Sequence, residues 1–392
     1  MTLQDRKITV IGAGIGGLAA ALCLHRRGAE VTVLEQAEAI AEVGAGLQIS
    51  PNGLAVLRAL GLEHALARQA VRARAVVLRD YADPREVLRL DLARLAPGQR
   101  YFFVHRADLI ELLAQAVREA GVQVRLLQKV ESVAPGNGER PFLHLGNGAQ
   151  VHADLVIGAD GLHSRARAAL NGADRPRFTG QVAWRAVVPN VTRMPAEAQV
   201  HMGPGRHLVS YPLRGGASVN LVAVQERAAW AEEGWSHRDD PDNLRAAFAE
   251  FTGSARTLLA EVSEVGLWGL FRHPVAPVWQ RGGVAILGDA AHPTLPFLAQ
   301  GANLALEDAW VLADCLAAEA DRDQALARYQ ALRRDRAERV IGAANGNAWK
   351  YHLRSGPLRG AAHLALRLGG RLAPERMVRR FDWLYGHDVT AG

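Results

Sequence analysis

The chain has 392 residues but only two cysteines, Cys23 and Cys315, and three lysines, Lys7, Lys129 and Lys350. The cysteines lie far apart, both in helical patterns, without metal-type spacing. Buried thiols in a reducing cytosol are expected, rather than a disulfide framework. No apolar run approaches the ~20 residues of a membrane span. The first apolar run, from Ile8, is broken by glycines and enters a folding motif, so it does not read as a signal peptide. The expectation is a cytoplasmic protein with no membrane partner. The 14 histidines do not cluster with carboxylates at ligand spacing, so no metal is expected. Repeats, low-complexity segments and a flexible interdomain linker are also missing. The net charge of +6 is almost all arginine and concentrates after Arg328. No nucleic-acid module accompanies it and acidic residues are interspersed, which reads as solvated helix faces and no nucleic-acid partner. The charge can still attract anionic small molecules. With 49% apolar residues, a chain of this length can build two or more lobes with ample core.

What is present centres on Val284 to Cys315. Four apolar residues, Val284 to Leu287, form a short buried strand. Gly288 stops it and Asp289 presents a carboxylate at its end. After a loop containing Pro293 and Pro296, Gly301 lets the backbone approach a ligand closely. A helix follows from Ala302, with Leu304, Leu306, Trp310, Val311 and Leu312 as apolar positions. The strand-end acid can accept from a sugar or ribityl hydroxyl, and the helix amides and dipole can hold negative charge.

Lys7 to Glu35 reads as one βαβ unit. Strand Ile8 to Ile11 is followed by Gly12, Gly14 and Gly17 in G-x-G-x-x-G spacing, with Ile15 and Gly16 between them. A helix through Leu18, Leu22 and Leu24 ends at Gly28, and strand Val31 to Leu34 ends at Glu35. The glycines serve a tight turn, close approach of a pyrophosphate, and helix–strand packing; Glu35 stands where an acid binds ribose hydroxyls. An acid there favours an unphosphorylated ribose, as in FAD or NAD.

A glycine-flanked segment, Val43 to Asn52, contains Gly46, Leu47 and Gln48 and leads into a helix from Pro51 to Leu60. Residues 71–104 read as strands and loops of a second lobe. A helix opens near Arg106, where a bound phosphate would justify a cation against the dipole. Val122 to Val130 reads as one strand, and 131–153 as a hairpin. Leu155 to Gly158 is a second buried strand ending in an acid, Asp160. In the second lobe, Gln181 to Val188, His207 to Leu213 and Ser218 to Val224 are strands, the last two joined at Arg214-Gly215-Gly216. Alternation puts His207, Val209 and Tyr211 on one face. A helix from Asp242 to Phe251 and a strand from Val265 to Phe271 complete the lobe. From Asp314 onward the chain reads as helical, with breaks at Gly369-Gly370 and Pro374.

The G-x-G-x-x-G at Gly12, the Gly158-Ala159-Asp160-Gly161 stretch and the Gly288-Asp289-Ala290-Ala291-His292 stretch occur together in this order. This combination resembles the class A FAD-dependent aromatic hydroxylases over nearly the whole chain. The nearest look is to salicylate hydroxylase, 6-hydroxynicotinate 3-monooxygenase and 3-hydroxybenzoate 6-hydroxylase, and the His207–Tyr211 spacing before Pro212 is similar to the latter two.

The resemblance implies an α/β fold: a Rossmann-like FAD-binding domain (1–75, 101–177 and 276–320) interleaved with a β-sheet substrate domain (76–100 and 178–275), then C-terminal helices (321–392). It implies noncovalent FAD, with Gly12, Gly14, Ile15, Gly16 and Gly17 on the ADP part, Glu35 at the ribose, Gln36 after it among the cofactor contacts, Arg106 in contact with FAD and the Val130 backbone near the adenine. Asp160 would support FAD and the nicotinamide coenzyme, Asp289 the ribityl chain, Gly46 and Leu47 the ring's flank, and Gly301, Ala302 and Asn303 the flavin ring. Gln48 and Pro296 would meet the substrate. His207 would take a proton from its hydroxyl, with Tyr211 converging on the same ring. His292 reads as structural.

NADH or NADPH would donate electrons transiently, NADH being preferred, and O₂ would react through a flavin hydroperoxide. The substrate would be a small phenolic or hydroxylated N-heteroaromatic compound, an aromatic acid by preference. Monomer and homodimer stay open. Gln36 and Ala299 depart from the family pattern, in which many members carry Arg and Gly. The alternatives are a flavin epoxidase or halogenase, whose Trp-x-Trp-x-Ile-Pro signature is absent, and a non-catalytic flavin-binding protein.

Overall fold

The computed structural model describes residues 3–40, 45–83, 85–136, 138–173, 175–228, 237–347 and 351–391. Val43, Gly44 and Pro84 fall outside them. Four sheets organise the described residues. A six-stranded sheet has the order Gln280–Arg281, Val284–Ile286, Leu155–Gly158, Lys7–Ile11, Glu30–Leu34, Gln123–Arg125. All its pairings are parallel except the first. Its strands are short and apolar because helices cover them. Ile15–His25 is buried along nearly its whole length, packing between the sheet and the helix Gly301–Ala318. The strand ends at Ile11, Gly158 and Ile286 therefore lie side by side at one edge.

The second large sheet has eight strands. Its centre is Arg177–Pro189, Ser218–Glu226, Arg206–Leu213 and Glu197–Gly203, and it ends in Ala75–Asp80 and Glu86–Asp91. One face packs against the helices Pro241–Ala247 and Gly253–Ala260 through Trp184, Leu208, Phe248 and Phe251. The other face is free to line a cavity.

Four expectations are corrected. Val122 to Val130 is not one strand: Gln123–Arg125 joins the six-stranded sheet, while Val130–Ala134 begins a three-stranded one. The break is a turn at Leu127, whose φ is 56°, tied back by Leu127 and Gln128 amides to the Ala37 and Glu35 carbonyls. Residues 71–104 do not form a single lobe. Ala75–Asp80 and Glu86–Asp91 join the large sheet, but Val71–Arg72 and Phe102–His105 pair in a small sheet with Gly46–Ile49. The helix expected to reach Phe251 is Pro241–Ala247, capped by Asp240, and a separate helix Gly253–Ala260 follows. Gly369 and Gly370 do not break the C-terminal region; they lie within Gly356–Leu372, which ends at Ala373 before Pro374. Two glycines cost a helix about 2 kcal/mol in propensity, and Gly370 leaves room for the Leu88 side chain, which a Cβ would strike.

Cys23 and Cys315 are buried, as expected, and burial raises both thiols, Cys23 to about 12 and Cys315 to about 11. Among the described residues no helix is long and apolar enough to cross a membrane, and no group of three metal-type ligands occurs.

Candidate active site

Two helix N-termini open into one cavity of about 800 Å³. Ile15–His25 starts after Gly14 and Gly301–Ala318 after Gln300. Among the described residues neither start has a side-chain cap or an acid in its first turn. Their amides and positive dipole ends are thus left for a ligand. Gly14, Ile15, Gly16, Gly301 and Ala302 line the cavity. A Cβ on Gly17 would collide with the Gly12 carbonyl oxygen, whereas a Cβ on Gly14 would meet no protein atom within 4 Å. Gly12 and Gly17 hold the turn tight, and Gly14 keeps the approach open. Two uncapped helix starts facing one long cavity fit a group with a pyrophosphate and an electron-accepting ring.

Three strand-end carboxylates stand along this edge. Glu35 accepts from the Ala13 and Ala37 amides at 2.8 and 2.9 Å, so it ties the glycine turn to its own strand. Gln36 is exposed beside it. Asp160 accepts from Ser164 Oγ at 2.5 Å and from the Arg165 amide at 2.6 Å. Burial raises its carboxyl against those hydrogen bonds. Asp289 is exposed, but to the cavity it lines. That enclosure raises its carboxyl, and the positive fields of His292, Arg106 and His273 oppose the rise. Arg106, the first residue of helix Arg106–Glu119, also lines the cavity. Val130 is buried at the start of its strand and is not part of the cavity wall.

The far wall is the open face of the eight-stranded sheet. His207, Val209 and Tyr211 line it together, as alternation requires. Tyr211 is buried against Phe103 with ring centroids 5.1 Å apart, and burial pushes its hydroxyl up, so it stays a neutral phenol. Against it, Gly46, Leu47 and Gln48 lie on the strand Gly46–Ile49 and line the cavity. A Cβ on Gly46 would strike the Tyr211 ring and Asn220; the Gly46 amide donates to Asn220 Oδ1 at 2.7 Å. Tyr101 donates to Gln48 Oε1 at 2.7 Å and so orients that amide. Pro296 starts a short 3₁₀ turn whose Phe297 ring lies 6.1 Å from His207. Ala299 follows with φ 52° and ψ 40°. This left-handed geometry is strained for alanine and would suit glycine. Asn303 does not turn its side chain to the cavity. It donates to the Gln48 and Ala299 carbonyls and accepts from the Ser50 amide, lacing the two sides together.

His292 is fully buried, and its Nε2 lies 2.5 Å from Asp308 Oδ2. It stacks on Trp279 and is absent from the cavity wall, which agrees with the structural reading.

Several wall residues escaped the sequence. Tyr101, Tyr351 and Tyr385 close the cavity. Arg185 lies 5.0 Å over the Trp268 ring, and burial lowers its guanidinium to about 10. Most unexpected is His352. It comes from the gap between helices Arg322–Asn347 and Gly356–Leu372 and places Nε2 2.7 Å from His207 Nδ1. Its own Nδ1 lies 3.1 Å from Glu226 Oε1. A lone Tyr-His pair in a helical region gives no sequence signal of such a contact.

Residues 5–344 match the family model described as an FAD binding domain. The chain is 38% identical to a 3-amino-4-hydroxybenzoate 2-monooxygenase of Streptomyces cremeus, covering 100% of this chain and 97% of that protein. It is 34% identical to a 3-hydroxybenzoate 6-hydroxylase of Aquipseudomonas alcaligenes, covering 99% of each. Among solved structures, Klebsiella pneumoniae HpxO complexed with FAD and uric acid superimposes with a TM-score of 0.84 at 27% identity, over 96% of both chains. The chain therefore belongs to the FAD-dependent aromatic monooxygenases.

Proposed function

We propose that this monooxygenase hydroxylates the ring of a small phenolic acid or hydroxylated N-heteroaromatic acid, consuming NAD(P)H and O₂. The observation that carries this reading is one continuous cavity. Two uncapped helix N-termini and a buried His207–Tyr211 face line it together. FAD, once reduced by NAD(P)H, supplies the oxygen activation; the chain must bind it, orient the ring, exclude water and move a proton.

In this reading Gly12, Gly14, Ile15, Gly16 and Gly17 receive the ADP part. Glu35 and Gln36 meet its ribose; a carboxylate has about four acceptor sites, so Glu35 keeps capacity beyond its two amides. Arg106, Val130 and Asp160 support the same half. Asp289 holds the ribityl chain. Gly46, Leu47, Gly301, Ala302 and the Asn303 backbone flank the ring, where helix amides fixed in advance stabilise negative charge with little reorganisation. Residues 76–100 and 178–275 form the substrate lobe, with Gln48 and Pro296 on the substrate. His207 is the base. The two relatives' substrates, 3-amino-4-hydroxybenzoate and 3-hydroxybenzoate, each pair a ring hydroxyl with a carboxylate, the class proposed here.

The test is a panel of phenolic and N-heteroaromatic acids, scored for substrate-stimulated oxidation of NADH and of NADPH and for coupled hydroxylated product. A panel in which no acid stimulates either donor would reject the reading; a strong NADPH preference would overturn the choice of NADH.

The purified protein should be yellow and release unmodified FAD on heating. Asp289→Ala should weaken FAD binding by about 1.5–3 kcal/mol, roughly tenfold to a hundredfold, because a hydroxyl loses a charged acceptor. Fluorescence titration of the stripped protein reads this directly. Unchanged affinity would remove Asp289 from the site.

A further inference from the structure

His207, His352 and Glu226 form a row: 2.7 Å from His207 Nδ1 to His352 Nε2, and 3.1 Å from His352 Nδ1 to Glu226 Oε1. Hydrogen-bond chemistry sets its direction. An ionised carboxylate only accepts, so His352 carries its hydrogen on Nδ1. Neutral His352 then has a bare Nε2, which accepts from His207 Nδ1–H. That leaves His207 Nε2 unprotonated, on a side chain that lines the substrate end of the cavity. This is the tautomer a base needs there.

The row also steps from dry to wet. His207 and His352 are each 3% exposed, whereas the Glu226 side chain is 33% exposed. Glu226 pairs at 2.6 Å with Arg354, whose side chain is 70% exposed. The backbone holds the row in register. The Gly205 amide donates to the His352 carbonyl at 3.1 Å, and the Glu226 amide to the Gly205 carbonyl at 2.8 Å. The segment carrying His352 is thereby pinned to the open end of the hairpin that carries His207 and Glu226.

We propose that His352 and Glu226 conduct the substrate's phenolic proton from His207 to solvent, an assignment that rests on His207 being the base. The phenol O–H bond breaks as N–H forms at His207 Nε2. The His207 Nδ1 proton passes to His352 Nε2, and the His352 Nδ1 proton passes to Glu226 Oε1, which gives it to water. The cavity keeps a phenolate and both rings end neutral. The product's phenolate takes its proton back by the reverse path, which resets both tautomers.

Burial lowers both imidazoles, His207 well below its ordinary value, with the neighbouring ring adding to the effect on His207 and Glu226 opposing it on His352. Neither ring can therefore store the proton, and a base so placed works only if it hands the proton on. Burial pulls the Glu226 carboxyl upward, but Arg354 and His352 outweigh it and hold the group ionised and ready to accept.

The test uses FAD-loaded protein and 4-hydroxy-3-nitrobenzoate, a phenolic acid whose phenolate absorbs visible light. Mixing the two at a pH below the probe's own ionisation should give a rapid phenolate signal. Glu226→Gln and His352→Phe should slow that phase at least tenfold, with FAD content, melting temperature and probe affinity unchanged. In His352→Ala, added imidazole should restore it, which a merely structural residue would not allow. Wild-type rates in Glu226→Gln and His352→Phe, beside a slowed His207→Ala, would overturn the relay and leave the base standing. A wild-type rate in His207→Ala would overturn both. If the His352 variants lose FAD, the size-preserving and partly exposed Glu226→Gln decides alone.

Discussion

Arg333→Met is expected to destabilise the protein by about 3–5 kcal/mol, the cost of removing one partner from a buried ionic network. Arg333 is 1% exposed and sits against two adjacent, fully buried carboxylates. Its Nη2 lies 2.7 Å from Glu307 Oε2 and its Nε 2.7 Å from Asp308 Oδ1. Glu307 would keep Arg336, at 2.6 Å, but Asp308 would lose its guanidinium partner and keep His292 as its hydrogen-bond neighbour. Methionine is close in volume, so the loss is electrostatic rather than a cavity. The consequence reaches the site, because Asp308 Oδ2 also accepts the Gly288 amide at 3.0 Å and so holds the turn that carries Asp289. Urea unfolding with and without FAD measures the effect. Arg334→Met is the control: its pair with Glu338 is 39% and 46% exposed, and such pairs contribute about 0–1 kcal/mol. A change for Arg333→Met no larger than for Arg334→Met would refute the network's role.

The same network predicts an acid limb. Burial alone would raise the Asp308 carboxyl, yet His292 and Arg333 hold it down to about 2. Its unfolded value is about 3.9, so the folded value is the lower one. The stabilisation is present above pH ~4 and is lost as the pH falls toward about 2. The stability difference between the wild type and Arg333→Met should therefore narrow as the pH falls from about 4 toward about 2.

The parts legible in the sequence are those whose chemistry is local. A strand, a glycine turn and an uncapped helix start are adjacent in the chain, so Gly12 to Gly17 and Gly288 to Gly301 announce a ligand cradle without any tertiary knowledge. Strand alternation placed His207, Val209 and Tyr211 on one wall for the same reason. Ala299 takes a left-handed backbone, a conformation that the sequence alone does not announce for an alanine.

What was hidden depends on contacts distant in sequence. The resemblance implied Asn303 at the flavin ring, and nothing in the sequence announces that its side chain laces Gln48 to Ala299. His352 is 145 residues from His207, and a helical reading of the C-terminal region hid the non-helical stretch 352–355 that delivers it. The split near Leu127 turns on a positive φ at a residue type that rarely takes one, which no periodicity reveals. Glu307 and Asp308 are adjacent acids on the helix Gly301–Ala318, and burial with Arg333 makes them the support beneath the cradle.

His207→Ala is expected to lower the rate of ring hydroxylation by about 10²–10⁴, the usual worth of a positioned general base. A phenolic hydroxyl ionises near ~10, so at neutral pH almost all the substrate arrives protonated, and the phenolate is the far better nucleophile toward the activated oxygen. His207 is neutral at that pH because burial and His352 lower it well below its ordinary value. The loss of rate from protonating it should therefore lie on the acid side of pH ~6.5, with no loss as the pH rises through neutrality. The variant keeps the FAD cradle intact, so reduction by NAD(P)H should continue while product formation fails, and the oxygen should leave as hydrogen peroxide. The diagnostic is the ratio of hydroxylated product to coenzyme consumed, with FAD content as the control. Tyr211→Phe should act differently. Its hydroxyl is pushed up and its ring packs on Phe103, so phenylalanine preserves the wall and coupling should fall less than tenfold. A His207→Ala protein with wild-type turnover and full coupling on the acid it hydroxylates best would exclude His207 as the base, and the proton would then have to leave through another group on that wall.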